Sequence, residues 1–384
     1  MSKLDELIAE LCPDGVEYAS IGSLIKRIRE RGKDDISVQQ VYVVSNSLGI
    51  VRAEDYRDNT IHSEDTSNYT IIRKNMFAYN PSRLNIGSIA MLKEEEPGLV
   101  SPMYVVFSID ETQIVKEYFE YVLKSPYVMN KINSYKEEGA RFRFNFDRWD
   151  WIRIPLPPLP VQQEIVRILD NFTELTAELT AELTARKKQY DYYREKLLSF
   201  EGVEVEWKAL GEVALIGTGK HDTQDAVDNG DYIFYARGIS PLKLDTYDFE
   251  ETAIITAGDG VGVGKVFHWA VGKYALHQRA YRIVPNEKEI NPRYVYHYIV
   301  TNFYSYIEKT SVSSSVTSMR KPMFLKFPIP IPSLEEQERI VTILDKFDTL
   351  TTSISEGLPR EIELRKKQYE YYRDLLLTFP KNNI

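Results

Sequence analysis

The chain has 384 residues, with 48 Lys and Arg against 57 Asp and Glu, a net charge of −9, and one Cys. That length allows two or three domains with ample core, and 43% hydrophobic residues exclude a disordered chain. The single cysteine excludes a disulfide framework and a thiolate-rich metal site.

A reducing, cytoplasmic setting suits such cysteine usage. The first residues carry no basic, apolar leader, and no run approaches the roughly 18 apolar residues of a membrane helix, so no membrane association is expected. The acidity is uneven. Residues 20–150 hold 18 basic against 19 acidic residues, and residues 207–332 hold 14 against 13. Both large blocks are therefore near neutral, which leaves room for a local basic face on each.

In chain order, residues 1–19 begin with a short helical fragment, LDELIAEL, ahead of Cys12–Pro13–Asp14–Gly15. Residues 20–154 read as a mixed α/β block. It has β-like runs at Val41–Val44, Ile71–Ile72 and Tyr104–Ile109, and a Tyr-rich helical stretch over 118–135. Residues 155–200 open with Pro155, Pro157, Pro158 and Pro160, an extended lead-in after which a helix is expected from about 162. Core-type positions then step by four and three through Ile165, Leu169, Phe172, Thr176, Leu179, Leu183, Arg186, Tyr190, Tyr193 and Leu197. Such a seam predicts a coiled-coil rod of roughly 55 Å over 162–198. The rod contains a tandem tetrapeptide, TELTAELTAELTA, at 173–185.

Residues 201–329 form a second mixed block, with β-like runs at Ile233–Tyr235, Ala253–Thr256 and Ala280–Val284 and a Tyr-rich helix over 292–308. Residues 330–384 return to a helical seam through Ile340, Leu344 and Phe347. Gly357 and Pro359 interrupt it, and a last helix is expected from about 359 to 378, carrying Tyr369 and Tyr372.

The chain is internally duplicated. IPLPPLPVQQEIVRILDNF at 154–172 matches IPIPSLEEQERIVTILDKF at 329–347, and RKKQYDYYREKLLSF at 186–200 matches RKKQYEYYRDLLLTF at 365–379. The order is block, helix, block, helix. The N-terminal fragment stands where REKLLSF stands before Gly202, so the repeat is cyclic. The expected fold class is α+β: two similar mixed α/β recognition domains joined by two long helices packed as an antiparallel coiled coil, with a pseudo-two-fold.

Catalytic signatures are missing. AGDGVGVGK at 257–265 has Asp259 and Val266 where a phosphate loop needs Gly and Ser or Thr. It reads instead as a turn that lets backbone approach a partner. Tyr79–Asn80–Pro81–Ser82 lacks the second Pro and the aromatic of an amino-methyltransferase site. The five histidines form no metal-ligand pair. No metal site and no enzyme activity are expected.

DNA-contacting side chains are sought instead among loop cations and amides, which can pair with phosphates and base edges. In the first block these are Lys74, Asn80, Arg83, Asn85, Arg141, Arg143 and Asn145. In the second they are Arg237, Lys265, His277, Gln278, Arg279, Ser314, Thr317, Arg320 and Lys321. Spacer and partner-docking positions are sought at Ile165, Leu169, Phe172, Leu179, Leu183, Tyr190, Tyr193, Ile340, Leu344, Phe347, Tyr369 and Tyr372. A rival reading is a scaffold without nucleic acid, two α/β modules on coiled-coil arms, which the net acidity favours.

On the duplicated IPLPPLP-type helices, the TAEL repeats at 176–183 and EGLPREIELRKKQYEYYRDLL at 356–376, the whole chain resembles the DNA-specificity subunit of type I restriction–modification systems. The resemblance implies a bipartite double-stranded DNA target, one half per domain, with a spacer set by the helices. It implies docking of two methyltransferase subunits and of restriction–translocase subunits. It also implies that S-adenosylmethionine, ATP and Mg belong to those partners, with no cofactor in this chain.

Overall fold

The computed structural model describes residues 2–56, 63, 65–135, 142–260, 262–310 and 319–380. They fold into two compact units. One comprises Met1–Glu178 with Ile362–Ile384, and the other Leu179–Glu361.

The first unit contains, in order, α1 (Lys3–Leu11), β1 (Glu17–Ser20), α2 (Ile21–Leu24), β2 (Ile25–Ile28), β3 (Val41–Ser45), β4 (Gly49–Arg52), α3 (Ala53–Tyr56), β5 (Thr70–Ile72), β6 (Phe77–Tyr79), β7 (Ile89–Met91), β8 (Gly98–Val100) and β9 (Val105–Ile109). There follow α4 (Lys116–Leu123), α5 (Pro126–Ser134), β10 (Arg153–Leu156) and the start of α6 (Leu159–Leu197). Ser125, whose Oγ accepts the Val128 N–H, and Pro126 just after it divide the Tyr-rich stretch into two helices. Strand order is β2-β9-β6-β7 in one sheet and β4-β3-β8-β5 in another. The core is aromatic. Phe77 stacks on Phe107 at 5.4 Å, and Tyr79 meets Trp149 edge-on at 5.8 Å.

The second unit contains β11 (Glu206–Ala209), α7 (Leu210–Val213), β12 (Ala214–Thr218), β13 (Tyr232–Tyr235), β14 (Leu242–Leu244), β15 (Phe249–Ala257), β16 (Phe267–Leu276), β17 (Ala280–Pro285), α8 (Pro292–Thr310), α9 (Lys321–Leu325), β18 (Pro328–Ile331) and α10 (Leu334–Thr352). Its sheet runs β12-β17-β15-β16-β13-β14. This is the order of the first unit with β5 and β6 fused into one strand and β7 and β8 into another, since β5 pairs with β8 and β6 with β7 as β15 does with β16, and β3 pairs parallel with β8 as β13 does with β16. Between β7 and β8, Lys93–Glu94–Glu95–Glu96–Pro97 breaks the strand. Three adjacent carboxylates and a proline without an N–H do not continue a ladder.

The duplicated motifs make duplicated joints. The Pro-rich lead-ins are strands: β1 pairs with β10, aligning Tyr18 with Pro155, and β11 pairs with β18, aligning Trp207 with Pro330. Tyr118 donates its hydroxyl to the Pro155 carbonyl at 3.1 Å, as Tyr294 does to Pro330 at 3.0 Å. Gln162 and Gln337, both fully buried, accept the N–H groups of Val115 and Asn291, each at 2.8 Å. A buried amide carries such a cost when unpaired that each Gln fixes where its α/β body meets its helix.

α6 starts at Leu159, three residues earlier than expected, with Pro160 accommodated in the first turn where its missing N–H has no partner to lose. Nothing after Pro160 interrupts it for the remainder of its 39 residues. The second helical region is split into α10 and α11 (Leu358–Leu376). At the break, a Cβ on Gly357 would lie 2.4 Å from the Thr349 carbonyl oxygen.

In the first unit α11 runs antiparallel to the start of α6. Phe172 stacks on Tyr372 at 5.4 Å, and further along, Pro380 accepts the Val16 N–H beside the β1–β10 ribbon. In the second unit Tyr190 and Tyr193 of α6 stack on Phe347 of α10 at 6.0 and 5.7 Å. Ile165, Leu169, Ile340 and Leu344 are fully buried in the unit cores. They hold the helices to the α/β bodies and cannot form a partner-docking face, a correction to the sequence expectation. Phe172, Leu179, Leu183, Tyr190, Phe347, Tyr369 and Tyr372 are half-buried along the seam, and Tyr193 is exposed. Among the described residues no helix is long and apolar enough to cross a membrane.

Candidate nucleic-acid interface

In the first unit the β6–β7 turn begins with Asn80, whose Oδ1 accepts the Ser82 N–H at 3.0 Å and so tightens the chain. The Phe144 N–H donates to the Pro81 carbonyl at 2.9 Å, docking the segment that carries Arg143 onto this turn. Between them opens a cavity of about 330 Å³ walled by Asn80, Arg83, Met103, Tyr104 and Arg143. Arg83 and Arg143 are exposed and form no ion pair among the described residues. Burial pushes the Tyr104 hydroxyl above its ordinary pKa, so it stays a neutral donor.

The second unit repeats the arrangement at the β15–β16 turn. Here Met319 donates its N–H to the Gly258 carbonyl at 2.7 Å, and Gly258 donates to the Arg279 carbonyl at 2.8 Å. A cavity of about 270 Å³ opens beside Thr218, Asp259, Gln278, Arg279 and Tyr281. Arg237 and Arg279 each give one Nη1 to Asp259, at 2.8 and 3.1 Å. Partial burial opposes ionisation of Asp259, but these two hydrogen bonds outweigh it and hold the carboxyl below its ordinary pKa. Gln278 donates to Asp222 at 3.0 Å. Each unit thus presents an arginine-lined hollow at the same turn of its sheet.

The family model described as the type I restriction modification DNA specificity domain matches residues 16–186 and again residues 202–364. The chain belongs to this family of specificity subunits. It is similar to a type I restriction enzyme specificity subunit of Escherichia coli, with 41% identity over 315 residues, covering 73% of this chain and 75% of that one. In fold it is similar to the S subunit of a type I restriction–modification system from M. genitalium, with a TM-score of 0.58 at 14% identity over 94% of this chain and 96% of that one. The HsdS subunit from Thermoanaerobacter tengcongensis is similar in the same way, at 0.56 and 15% over 96% and 97%. A specificity subunit is the DNA-recognition component of a restriction–modification complex and not its enzyme.

The other sequence candidates fall variously on this specificity subunit. Asn85 is half-buried, and Asn145 is exposed next to Phe144. Lys74 is exposed and ion-paired with Glu95. Lys265 lies over the Tyr304 ring at 5.0 Å. Arg320 and Lys321 are exposed at the start of α9. Arg141, Ser314 and Thr317 lie outside the described residues. His277 is a correction: it is 1% exposed, and its Nδ1 accepts the Arg279 N–H at 2.9 Å. It shapes the turn beneath Arg279 and cannot itself meet a DNA edge.

Asp259, Tyr104 and Met103 escaped the sequence reading. Asp259 carries a signal, an acid between two glycines in an otherwise apolar run, though the loop pattern alone marks it only as a mismatch to a phosphate loop. Tyr192 and Tyr371 also escaped it. They stand at matching places in the two RKKQY segments and are 58% and 65% exposed. Among the described residues no cluster of His, Cys, Asp and Glu is placed to hold a metal ion.

Proposed function

We propose that this subunit reads a bipartite double-stranded DNA target, one half-site per α/β body, and that α6 with α10 and α11 sets the spacer between the halves. The supporting observation is the arginine-lined hollow that recurs at the β6–β7 and β15–β16 turns. Cations at an exposed turn can contact phosphates or base edges, and base edges carry the sequence.

Two methyltransferase subunits dock on the helical regions, and restriction–translocase subunits complete the assembly. The exposed Tyr192 and Tyr371 are suited to that docking because large aromatics anchor interfaces. S-adenosylmethionine, ATP and Mg are held by those partners, and the complex works in the cytoplasm. The test is exchange of residues 207–328 for the corresponding segment of another specificity subunit, followed by methylome sequencing of the host. One half-site changes and the other is kept. A change in both halves, or in neither, refutes the modular reading.

A further inference from the structure

We infer that Asp259 is a positioning residue, fixing Arg237 and Arg279 so that their free guanidinium edges read a guanine in the half-site of the second unit; this rests on the DNA-reading function proposed above. The two arginines come from different hairpin ends. Arg237 follows β13, and Arg279 lies in the β16–β17 turn. One carboxylate gathers both. Each guanidinium spends a single Nη1 on it, so Nη2 and Nε have no hydrogen-bond partner among the described residues. Those side chains remain 40% and 61% exposed, whereas Asp259 is 23% exposed.

The backbone beneath the triad is tightly held. A Cβ on Gly258 would lie 2.7 Å from the Arg279 carbonyl oxygen, and one on Gly262 would lie 2.7 Å from that of Arg237. The Arg279 N–H is taken by His277, and the Gly238 carbonyl beside Arg237 meets His268 Nε2 at 3.0 Å. A fork held this way keeps two donors in the geometry that matches guanine O6 and N7.

Charge decides between a base edge and a phosphate. Two arginines and one aspartate leave a net charge of +1, and Asp222 stands close by on Gln278. A carboxylate at that spot weakens attraction for a phosphate but not for a neutral base edge, where direction matters more than charge. Arg83 and Arg143 in the first unit carry no such acid and fit the phosphate role better.

The test uses the complex assembled with its methyltransferase partners and a randomised duplex library at several salt concentrations. Wild type selects a guanine within the half-site that moves with residues 207–328. Asp259→Asn reduces the preference for that guanine roughly tenfold or more, leaves the other half-site alone, and leaves the slope of log affinity against log salt unchanged. Arg237→Lys, which keeps Asp259 paired with Arg279, gives the same local loss and guards against a folding defect in the Asp259 variant. A uniform loss over all sequences with a shallower salt slope makes the pair a phosphate clamp and overturns the inference. So does a half-site without a preferred guanine. If residues 207–328 carry no half-site at all, the function itself fails, and the segment exchange reveals that separately.

Discussion

The hydroxyl of Tyr18 donates to the carbonyl of Phe379 at 2.7 Å, joining residues 361 positions apart. Beside this bond Val16 donates to Pro380, and Leu377 and Phe379 are buried with Leu4, Cys12 and Val16. The first unit is therefore closed by the other end of the chain, which is what the cyclic repeat requires. Phe379→Ala is expected to destabilise the first unit by about 3–5 kcal/mol, the usual cost of emptying a buried aromatic site. Tyr18→Phe is expected to cost about 1 kcal/mol. Denaturant unfolding followed by hydrogen exchange would localise both losses to 1–178 and 362–380. Equal loss of protection in β12–β17 would contradict the closure.

The two buried glutamines do the same work with different numbers of bonds. Gln162 also donates to Gln113 and Pro157 carbonyls, at 3.0 and 2.7 Å, whereas Gln337 donates to Pro332 alone, at 2.9 Å. Replacing either by Ala strands buried backbone groups at about 1–3 kcal/mol each. Gln162→Ala is expected to lower the melting midpoint more than Gln337→Ala, because it strands three groups rather than two. Scanning calorimetry of the two variants checks the order, and a reversed order would mean that the joints are not equivalent.

The duplication, the helix pair and six of the eighteen strands among the described residues (β3, β5, β9, β13, β15 and β17) could be read from residue patterns, since apolar periodicity and repeated motifs are local. The recognition sites could not. Arg237, Asp259 and Arg279 lie in three separate turns and meet only because β13, β15 and β17 belong to one sheet. His277 sits beside Arg279 in sequence, yet it turns inward while its neighbour turns out. Chain proximity carries no information about that difference. The sequence marks the Pro-rich lead-ins only as extended, because a strand paired with a partner more than a hundred residues away leaves no local mark.

His277 gives the second unit a pH dependence. Burial, then Arg237 and more weakly Arg279, push its pKa below the ordinary histidine value, while Asp222 and Asp259 oppose them. Burial lowers that of His268 too, against the Gly238 carbonyl. A histidine whose folded pKa lies below its unfolded one binds fewer protons when folded. Its stabilisation is present above about pH 6.5 and is lost as pH falls toward the folded value. The second unit is expected to melt earlier between pH 6.5 and 5. His277→Asn, whose Oδ1 can still accept the Arg279 N–H, should flatten that trend. An unchanged slope in the variant would assign the effect elsewhere.

Tyr192 and Tyr371 test partner docking. Both are far more exposed than Tyr190 and Tyr369 two residues earlier, which line the seam. Their substitution by Ala should shift the melting midpoint little, since surface changes usually stay within about 0.5 kcal/mol. It should weaken assembly with the methyltransferase subunit by about 1 kcal/mol or more if each ring is an anchor. Titration with the purified partner would measure this. Full affinity in the double variant would remove these rings from the docking face.

The tetrapeptide tests the spacer directly. Residues 173–185 lie within the uninterrupted α6, and Thr173, Thr176 and Thr184 return their hydroxyls to carbonyls four residues back. Thr180–Ala181–Glu182–Leu183 can therefore be removed without breaking the helix, since the next repeat supplies the same residue types. The deletion shortens the rod by about 6 Å at 1.5 Å per residue, comparable with one or two base-pair steps of about 3.4 Å. It also turns the remainder by about 40°, because four residues exceed one turn of 3.6. A turn of that size is close to the twist of a single base-pair step, about 34–36° at 10–10.5 base pairs per turn, so a spacer one base pair shorter satisfies both length and rotation better than two. Methylome sequencing with the deletion variant should show both half-sites intact and the spacer reduced by one. Retention of the original spacer would mean that α6 does not set it.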